Sequence, residues 1–292
     1  MPEPVGFFTD TTLCIGCKAC QVACHQWNDL PPGHGPAYDS PEGLRRADVS
    51  YTSSAQTGRM ELPLLSGNSY DNTGSLSDVN WRHVKFIERF TPDRKEAAWL
   101  MMSDVCKHCA YAPCLEVCPT GAIMRTEFDT VYIQEPACNG CRDCVAACPF
   151  GVIHMSTDPR KLVAQKCTFC YDRLQHNLAP ACAQACPTSS IQFGLLKDLK
   201  KKATNRVAQL RAEGVDKATL YGADDKVLGG LNAFYLLVDK PEVYGLPANP
   251  RLPSRKVPWS SFLSIFTALM TALGVLFAFR SRRAATEEEA RA

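Results

Sequence analysis

Sixteen cysteines are the residues of this sequence best suited to chemistry, and each belongs to a group of four. The first group lies within "CIGCKACQVAC", and all four groups end in the same C-x3-C step. We number the groups motifs I to IV: Cys14, Cys17, Cys20 and Cys24; Cys106, Cys109, Cys114 and Cys118; Cys138, Cys141, Cys144 and Cys148; Cys167, Cys170, Cys182 and Cys186.

The spacing within the motifs indicates iron–sulfur ligation. A C-x2-C-x2-C run puts three sulfurs on one tight loop, where they reach three corners of one compact cluster. The fourth cysteine follows about one helical turn later and is well placed for a second cluster. Motifs II, III and IV end in Cys-Pro, and proline turns the chain away. The pattern predicts four [4Fe–4S] clusters.

Two other uses of many cysteines fit the sequence less well. Disulfide scaffolds are usually short secreted chains, whereas this chain has 292 residues and residues 1–13 lack the features of a signal peptide. Structural zinc sites favour two C-x2-4-C pairs with a longer spacer, often with histidine. A membrane-anchored zinc module that acts in assembly or regulation is the alternative of a different class.

Spacing does not decide which motifs share clusters. Motifs II and III are separated by 19 residues and motifs III and IV by 18, so chain length permits either pairing. Motif I lies 81 residues before motif II, so either scheme needs one long crossing.

Other polar residues adjoin the cysteines. His25 and His108 are expected to cap helices or to surround the clusters, because cysteines already fill the sixteen ligand positions. Lys107, Lys166 and Arg142 are expected either to tune the clusters by their positive charge or to balance charge.

Short strands and helices are expected around the motifs, which predicts α+β, ferredoxin-like lobes. Residues 81–90 and 97–103 are apolar runs that predict the two strands of a hairpin. Residues 130–134 predict a strand between motifs II and III.

The sequence after motif IV has a different pattern. Apolar residues recur at steps of three and four from Leu196 to Leu210, which predicts an amphipathic helix that stops at Gly214. Residues 232–239 predict a strand, and an extended proline-rich strap is expected to follow it.

Residues 259–279 contain 21 residues without a charge. A helix of this length spans about 30 Å, the hydrocarbon thickness of a bilayer, and it predicts one transmembrane helix. Basic residues flank both ends, so their distribution favours neither orientation.

The remaining composition favours an electron carrier rather than an enzyme. A net charge of +2 gives no reason to expect nucleic-acid binding. We find no dinucleotide-binding fingerprint, no P-loop and no nucleophile with its base. Catalytic residues are therefore not expected.

Together these features resemble the iron–sulfur (beta) subunit of membrane-bound, molybdenum- or tungsten-dependent formate dehydrogenases. "CIGCKACQVACHQWND", "CNGCRDCVAACPF" and "KCTFCYDRL…PACAQACPT" carry the resemblance through the motifs, and "LYGADDKVLGG" and "DKPEVYGLPANP" carry it beyond them. It covers nearly the whole chain. The stretch from about residue 40 to 80 is longer than the family leads us to expect, and we hypothesise that it covers a partner interface.

The resemblance implies one lobe from motifs I and IV and another from motifs II and III. It assigns four ligand sets: Cys14, Cys17, Cys20 and Cys186 to cluster 1; Cys167, Cys170, Cys182 and Cys24 to cluster 2; Cys106, Cys109, Cys114 and Cys148 to cluster 3; Cys138, Cys141, Cys144 and Cys118 to cluster 4.

The expected domain organisation follows from these assignments. Its segments are a first ferredoxin-like lobe with an insert (1–100), a second lobe (101–160), motif IV completing the first lobe (161–196), a C-terminal helix, strand and strap (197–257), the transmembrane helix (258–280) and a charged tail (281–292).

The resemblance also implies partners and a location. A molybdopterin-containing alpha subunit would oxidise formate, and a cytochrome b gamma subunit would pass the electrons to quinone. The cluster region would lie on the outer (periplasmic) face of the cell membrane, held by a single-pass helix. A membrane-bound hydrogenase or another molybdopterin oxidoreductase would use the same electron-transfer role.

Overall fold

The computed structural model describes residues 3–31, 74–90, 95 and 97–289. These residues form two compact units, Met1–Pro250 and Arg251–Ala292. Most of the long segment expected at residues 40–80 lies outside the described residues, so the hypothesis about it stays a prediction.

The described chain contains short strands and helices, as expected for an α+β protein. The strands are β1 Val5–Asp10, β2 Arg82–Phe90, β3 Ala97–Val105, β4 Ile123–Arg125, β5 Val131–Ile133, β6 His154–Met155, β7 Ala164–Gln165, β8 Ile191–Leu195, β9 Thr219–Tyr221 and β10 Ala233–Leu237. The helices are α1 Ala19–Trp27, α2 Pro113–Glu116, α3 Asp143–Ala147, α4 Tyr171–Gln175, α5 Ala181–Gln184, α6 Leu196–Ala212 and α7 Val257–Glu289. The predicted fold class is confirmed.

A four-stranded sheet in the order β8-β1-β10-β9 forms the core of the larger unit. β1 runs parallel to β10 and antiparallel to β8. Both central strands are completely buried and rich in aromatic residues, as in Phe7 and Phe234. The sheet brings together distant parts of the chain, since β1 pairs Thr9 with Ile191.

That pairing positions two motifs. Motif I begins four residues after β1 ends, and motif IV ends five residues before β8 begins. The antiparallel register therefore brings Cys14 close to Cys186, and α1 of motif I packs against α5 of motif IV. β1 was not predicted from the sequence, although this strand brings motif I across to motif IV.

β2 and β3 form the predicted hairpin, with Arg82 opposite Val105 and Phe90 opposite Ala97. Its base is buried against motif I, where the N–H of Val84 donates to Oε1 of Gln21 at 2.7 Å. Buried polar side chains at this base face the cysteines.

Two small hairpins follow motifs II and III. β4 pairs with β5 and β6 pairs with β7, both antiparallel. The short helices α2 and α3 carry motifs II and III and pack against each other. β5 confirms the strand predicted at residues 130–134.

Helix α6 confirms the predicted amphipathic helix. Its buried residues repeat at steps of three and four, and Gly214 follows its end with a φ of +90°. β10 confirms the strand predicted at residues 232–239. The strap was predicted to be extended, but Pro241–Tyr244 forms a 3-10 turn because Pro241 starts the turn and Gly245 ends it in a left-handed conformation.

The smaller unit consists of a 3-10 turn, Pro253–Lys256, followed by α7. Within α7, Ser261–Arg283 has a mean hydropathy of 2.2, and none of its apolar window is buried. The helix continues to Glu289, beyond the predicted end at residue 280, because alanine and glutamate in the tail favour helix.

A close approach between Gly222 and Leu231 supports the edge of the large sheet. A Cβ on Gly222 would lie 2.2 Å from Cδ1 of Leu231, and its φ is +81°. We predict that Gly222→Ala lowers the thermal unfolding midpoint of the purified protein, with backbone strain of about 1–2 kcal/mol and overpacking of about 1–3 kcal/mol.

Gly214→Ala is the matched control for this prediction. Gly214 also has positive φ, +90°, but a Cβ there would meet nothing within 4 Å. Equal midpoints for the two variants would contradict the steric part of the argument.

Candidate functional site

All sixteen cysteines lie in the described residues, and none forms a disulfide. Cys17 and Cys141 are exposed, whereas the other cysteines are buried or half-buried. Both exposed residues are the second cysteine of their motif.

The C-x2-C loops of all four motifs share one backbone feature. The residue before the second cysteine has a left-handed conformation in each loop, with φ between 44° and 73° at Gly16, His108, Gly140 and Phe169. This turns backbone N–H groups toward sulfur, as where the N–H of Phe169 donates to Sγ of Cys167 at 3.3 Å.

Tertiary packing holds the two loops that lack glycine at this position. His108 and Phe169 are both buried, and their rings meet edge to face with centroids 4.8 Å apart. Phe7 of β1 stacks on the other side of Phe169, at 4.0 Å. The C-x2-C loops of motifs II and IV are therefore in contact.

The Cys-Pro turns share a second feature. Three residues after Cys118, Cys148 and Cys186, a backbone N–H donates to the carbonyl of the cysteine at 3.3–3.4 Å. The chain then passes back over the sulfur, so that the N–H of Ile191 lies 3.5 Å from Sγ of Cys186. Each turn thus surrounds the last sulfur of its motif with backbone donors.

The structure groups the cysteines into four sets, which we call quartets. They are quartet A (Cys14, Cys17, Cys20, Cys186), quartet B (Cys24, Cys167, Cys170, Cys182), quartet C (Cys106, Cys109, Cys114, Cys148) and quartet D (Cys118, Cys138, Cys141, Cys144). Cysteines of motif I thus lie beside cysteines of motif IV, and cysteines of motif II lie beside cysteines of motif III.

Quartets A and C each line a cavity. Apart from the thiols, their walls include Pro187 and Ile191 at quartet A and Val131 and Phe150 at quartet C. Such sites are rich in sulfur and otherwise largely apolar.

Burial dominates the acidity of the thiols. It raises the pKa of Cys20 and Cys144 to about 11 and that of Cys114 to about 12, and neighbouring thiols add to these shifts. At quartet B, burial is the main cause that raises the pKa of Cys24 well above its usual value, and the neighbouring thiol of Cys167 adds to this shift. Four thiols packed in this way lose their protons together when they bind metal, because the metal compensates their charge.

Cys118 is an exception. Burial raises its pKa, but hydrogen bonds from the backbone of Ile123 and from Thr120 outweigh burial and lower it. Oγ1 of Thr120 lies 3.7 Å from Sγ of Cys118, and Thr188 has the same relation to Cys186 at 3.8 Å. The Cys-Pro-Thr sequences of motifs II and IV therefore place a hydroxyl beside the last sulfur.

The quartets fit a multi-atom cluster rather than one ion. Over the described ranges, no three His, Cys, Asp or Glu side chains form a group that could hold a single metal ion. Zinc would need thiolates at about 2.3 Å from one point. The thiols of quartets A and C instead surround a space, which would suit an iron–sulfur cluster with one cysteine at each iron.

The histidines and lysines beside the motifs have structural partners. Nδ1 of His108 accepts from the N–H of Val131 at 3.0 Å, and Nε2 of His25 lies 2.9 Å from the carbonyl of Pro31. Lys107 forms a buried ion pair with Asp104, and Lys166 donates to the carbonyls of Val131 and Cys167. Arg142 is the left-handed residue before α3.

The polar residues at the base of the β2–β3 hairpin were not predicted from the sequence. Nη1 of Arg82 donates to Oγ of Ser103 at 2.9 Å, and this Oγ lies 3.2 Å from Sγ of Cys20. Neither residue adjoins a cysteine in the sequence, so no local signal could have identified them.

Comparison with known proteins identifies two matching domains. Residues 13–122 and 97–196 each match a family described as a 4Fe-4S dicluster domain. These domains carry 4Fe–4S clusters and mark a non-catalytic electron carrier.

The most similar proteins include subunits of respiratory enzymes. The formate dehydrogenase-O iron-sulfur subunit of Escherichia coli is 36% identical over 88% of this chain and 75% of its own length. The iron-sulfur subunit of the nitrate-inducible formate dehydrogenase of E. coli is 34% identical over 92% of this chain and 82% of its length. The thiosulfate reductase electron transfer subunit of Salmonella typhi is 35% identical over 65% of this chain and 74% of its length.

The identity of the two formate dehydrogenase subunits to this chain extends beyond the cysteine motifs over nearly its full length. The chain therefore belongs to the family of formate dehydrogenase iron–sulfur subunits.

Proposed function

We propose that this protein is the electron-transfer subunit of a membrane-bound formate dehydrogenase and that quartets A to D each hold one [4Fe–4S] cluster. The observation that carries the proposal is the grouping of all sixteen cysteines into four quartets in a chain of this family. When bound, the clusters accept and release one electron at a time.

The chain holds the quartets in series. Burial is the main cause of the raised pKa values of Cys20, Cys167 and Cys114, and a thiol of the next quartet adds to each. The neighbours are Cys182 of quartet B for Cys20, Cys106 of quartet C for Cys167, and Cys144 of quartet D for Cys114. The order we propose is A, B, C, D.

The exposed cysteines support this order. Cys17 belongs to quartet A and Cys141 to quartet D, the two ends of the series. The middle quartets are shielded by packed side chains, including the contact between His108 and Phe169. Partners can therefore approach quartets A and D at their exposed cysteines.

We propose that a molybdopterin-containing catalytic subunit supplies electrons at one end and that a cytochrome b subunit accepts them at the other. Formate is the proposed donor substrate of the complex, because the relatives that match most of the chain are named for formate dehydrogenase. The shorter match to a thiosulfate reductase subunit favours another molybdopterin oxidoreductase as the second candidate.

Helix α7 is the proposed membrane anchor. Ser261–Arg283 is long and apolar enough to cross a bilayer once, and its large side chains, such as Phe262 and Leu276, are exposed. The resemblance to membrane-bound formate dehydrogenases favours the outer face for the cluster unit.

Formate should reduce the protein when its partner is attached. We predict that formate, added to the tagged protein purified anaerobically from detergent-treated native membranes, bleaches the broad visible iron–sulfur absorbance. Acetate at the same concentration is the control, because it is a carboxylate without the transferable hydride.

The reductants separate the outcomes of this experiment. Bleaching by hydrogen but not formate would replace the formate partner by a hydrogenase. Bleaching by dithionite alone, with a catalytic subunit present in the preparation, would contradict the formate assignment while leaving the electron-transfer role in place.

The anchor can be tested by truncation. Deleting residues 257–292 should move the cluster unit from the membrane to the soluble fraction with its iron retained, because Met1–Pro250 is a separate compact unit. Deleting residues 284–292 is the matched control and should leave the protein in the membrane. Iron-loaded truncated protein that stays in the membrane without its partners would contradict an anchor in α7.

A further inference from the structure

Arg82 is a buried cation between two quartets. It begins β2 and is 1% exposed. Its guanidinium carbon lies 5.0 Å from the centre of the Phe7 ring, which covers one side of it. On another side, Ser103 separates it from Cys20 of quartet A.

No carboxylate among the described residues compensates the charge of Arg82. Nε and Nη2 have no hydrogen-bond partner, and across the described residues no carboxylate forms an ion pair with this side chain. Burying an unpaired guanidinium is costly. Such a residue is stable only where it faces negative charge from another source.

Lys107 provides the contrast within the same region. It is fully buried, but Asp104 neutralises it and also pairs with Lys85 at 2.8 Å. A buried carboxylate is therefore present at the base of this hairpin, but it pairs with the two lysines and not with Arg82.

When they bind a metal centre as thiolates, cysteines of quartets A and B would supply the negative charge facing Arg82. Burial lowers the pKa of Arg82, but Cys182, Cys20 and Cys167 outweigh burial and raise it. Arg82 in turn lowers the pKa of Cys20, Cys24 and Cys170, against the stronger effect of their burial. These cysteines belong to quartets A and B.

We propose that Arg82 is a positioning residue that raises the reduction potentials of the centres at quartets A and B through its buried positive charge. The proposal rests on the proposed function only in that these quartets hold clusters. A cluster gains negative charge when it is reduced, so a nearby fixed cation favours the reduced form.

Ser103 gives quartet A a second contribution. A guanidinium has donors and no acceptor, so Oγ of Ser103 must accept from Nη1 of Arg82. The hydroxyl proton of Ser103 is then free to donate to Sγ of Cys20, 3.2 Å away. Hydrogen bonds to ligand sulfur also raise the potential of a cluster, so Arg82 orients a donor toward quartet A.

The test is a potentiometric titration of the intact complex, followed by EPR, in Arg82→Gln, Arg82→Lys and Ser103→Ala. Arg206→Gln is the matched control, because Arg206 pairs with Asp10 and is partly exposed. Cys17→Ser and Cys141→Ser identify the signals of the end centres. Dithionite with mediators reduces the sample, so a wrong formate assignment does not affect the result.

We expect Arg82→Gln to lower the reduction equilibrium constants of centres A and B about tenfold, which is about 59 mV for one electron. The potentials of centres C and D should shift less in this variant. Arg206→Gln should leave the potentials of all four centres unchanged. Arg82→Lys should keep the potential of centre B near its original value, because only the positive charge acts on that centre. Ser103→Ala should lower the reduction potential of centre A and leave that of centre B unchanged.

Unchanged potentials at A and B in Arg82→Gln, or an equal shift of all four centres, would overturn the proposal. If Arg82→Gln loses its clusters, the remaining variants decide. Two results together would then contradict the proposal. The potential of centre A would be unchanged in Ser103→Ala, and the potential of centre B would fall in Arg82→Lys although the positive charge is kept.

Discussion

Packing sixteen thiols into one chain, in four groups whose thiolates would repel one another, is the constraint on which the rest of the structure depends. Burial raises the pKa of thiols in every quartet, as at Cys20, Cys24, Cys114 and Cys144. Three features of the fold stabilise thiolates. They are the left-handed C-x2-C loops, the Cys-Pro turns that direct N–H groups at sulfur, and buried cations. Iron supplies the remaining compensation in this family.

The same constraint explains the architecture around the quartets. Quartet A combines cysteines of the first and the last motif, and the pairing of β1 with β8 brings them together. The contact of His108 with Phe169 joins the two lobes where quartets B and C adjoin. The proposed crossed ligation would do two things at once. It would close each lobe and would set the quartets in a row, with exposed cysteines only at the ends of that row among those described.

Local patterns predicted the motifs, the hairpin, α6 and the apolar helix, because spacing and periodicity within a short segment suffice for each. The glycines of motifs I and III even mark the left-handed position of their loops. His108 and Phe169 occupy the same position in motifs II and IV without such a mark, since tertiary packing holds them there. The role of Arg82 and the grouping of motifs I and IV depend on pairings between segments far apart in the chain, which spacing alone does not specify.

The central claim is that every cysteine ligates iron in one of four cubane clusters. The most direct test is to measure iron and acid-labile sulfide per chain in protein purified anaerobically, with zinc measured in the same sample. The account predicts about sixteen iron atoms and about sixteen sulfides per chain, four of each per cluster, and no stoichiometric zinc. A fully folded protein with about eight of each, or with zinc in place of iron, would contradict it.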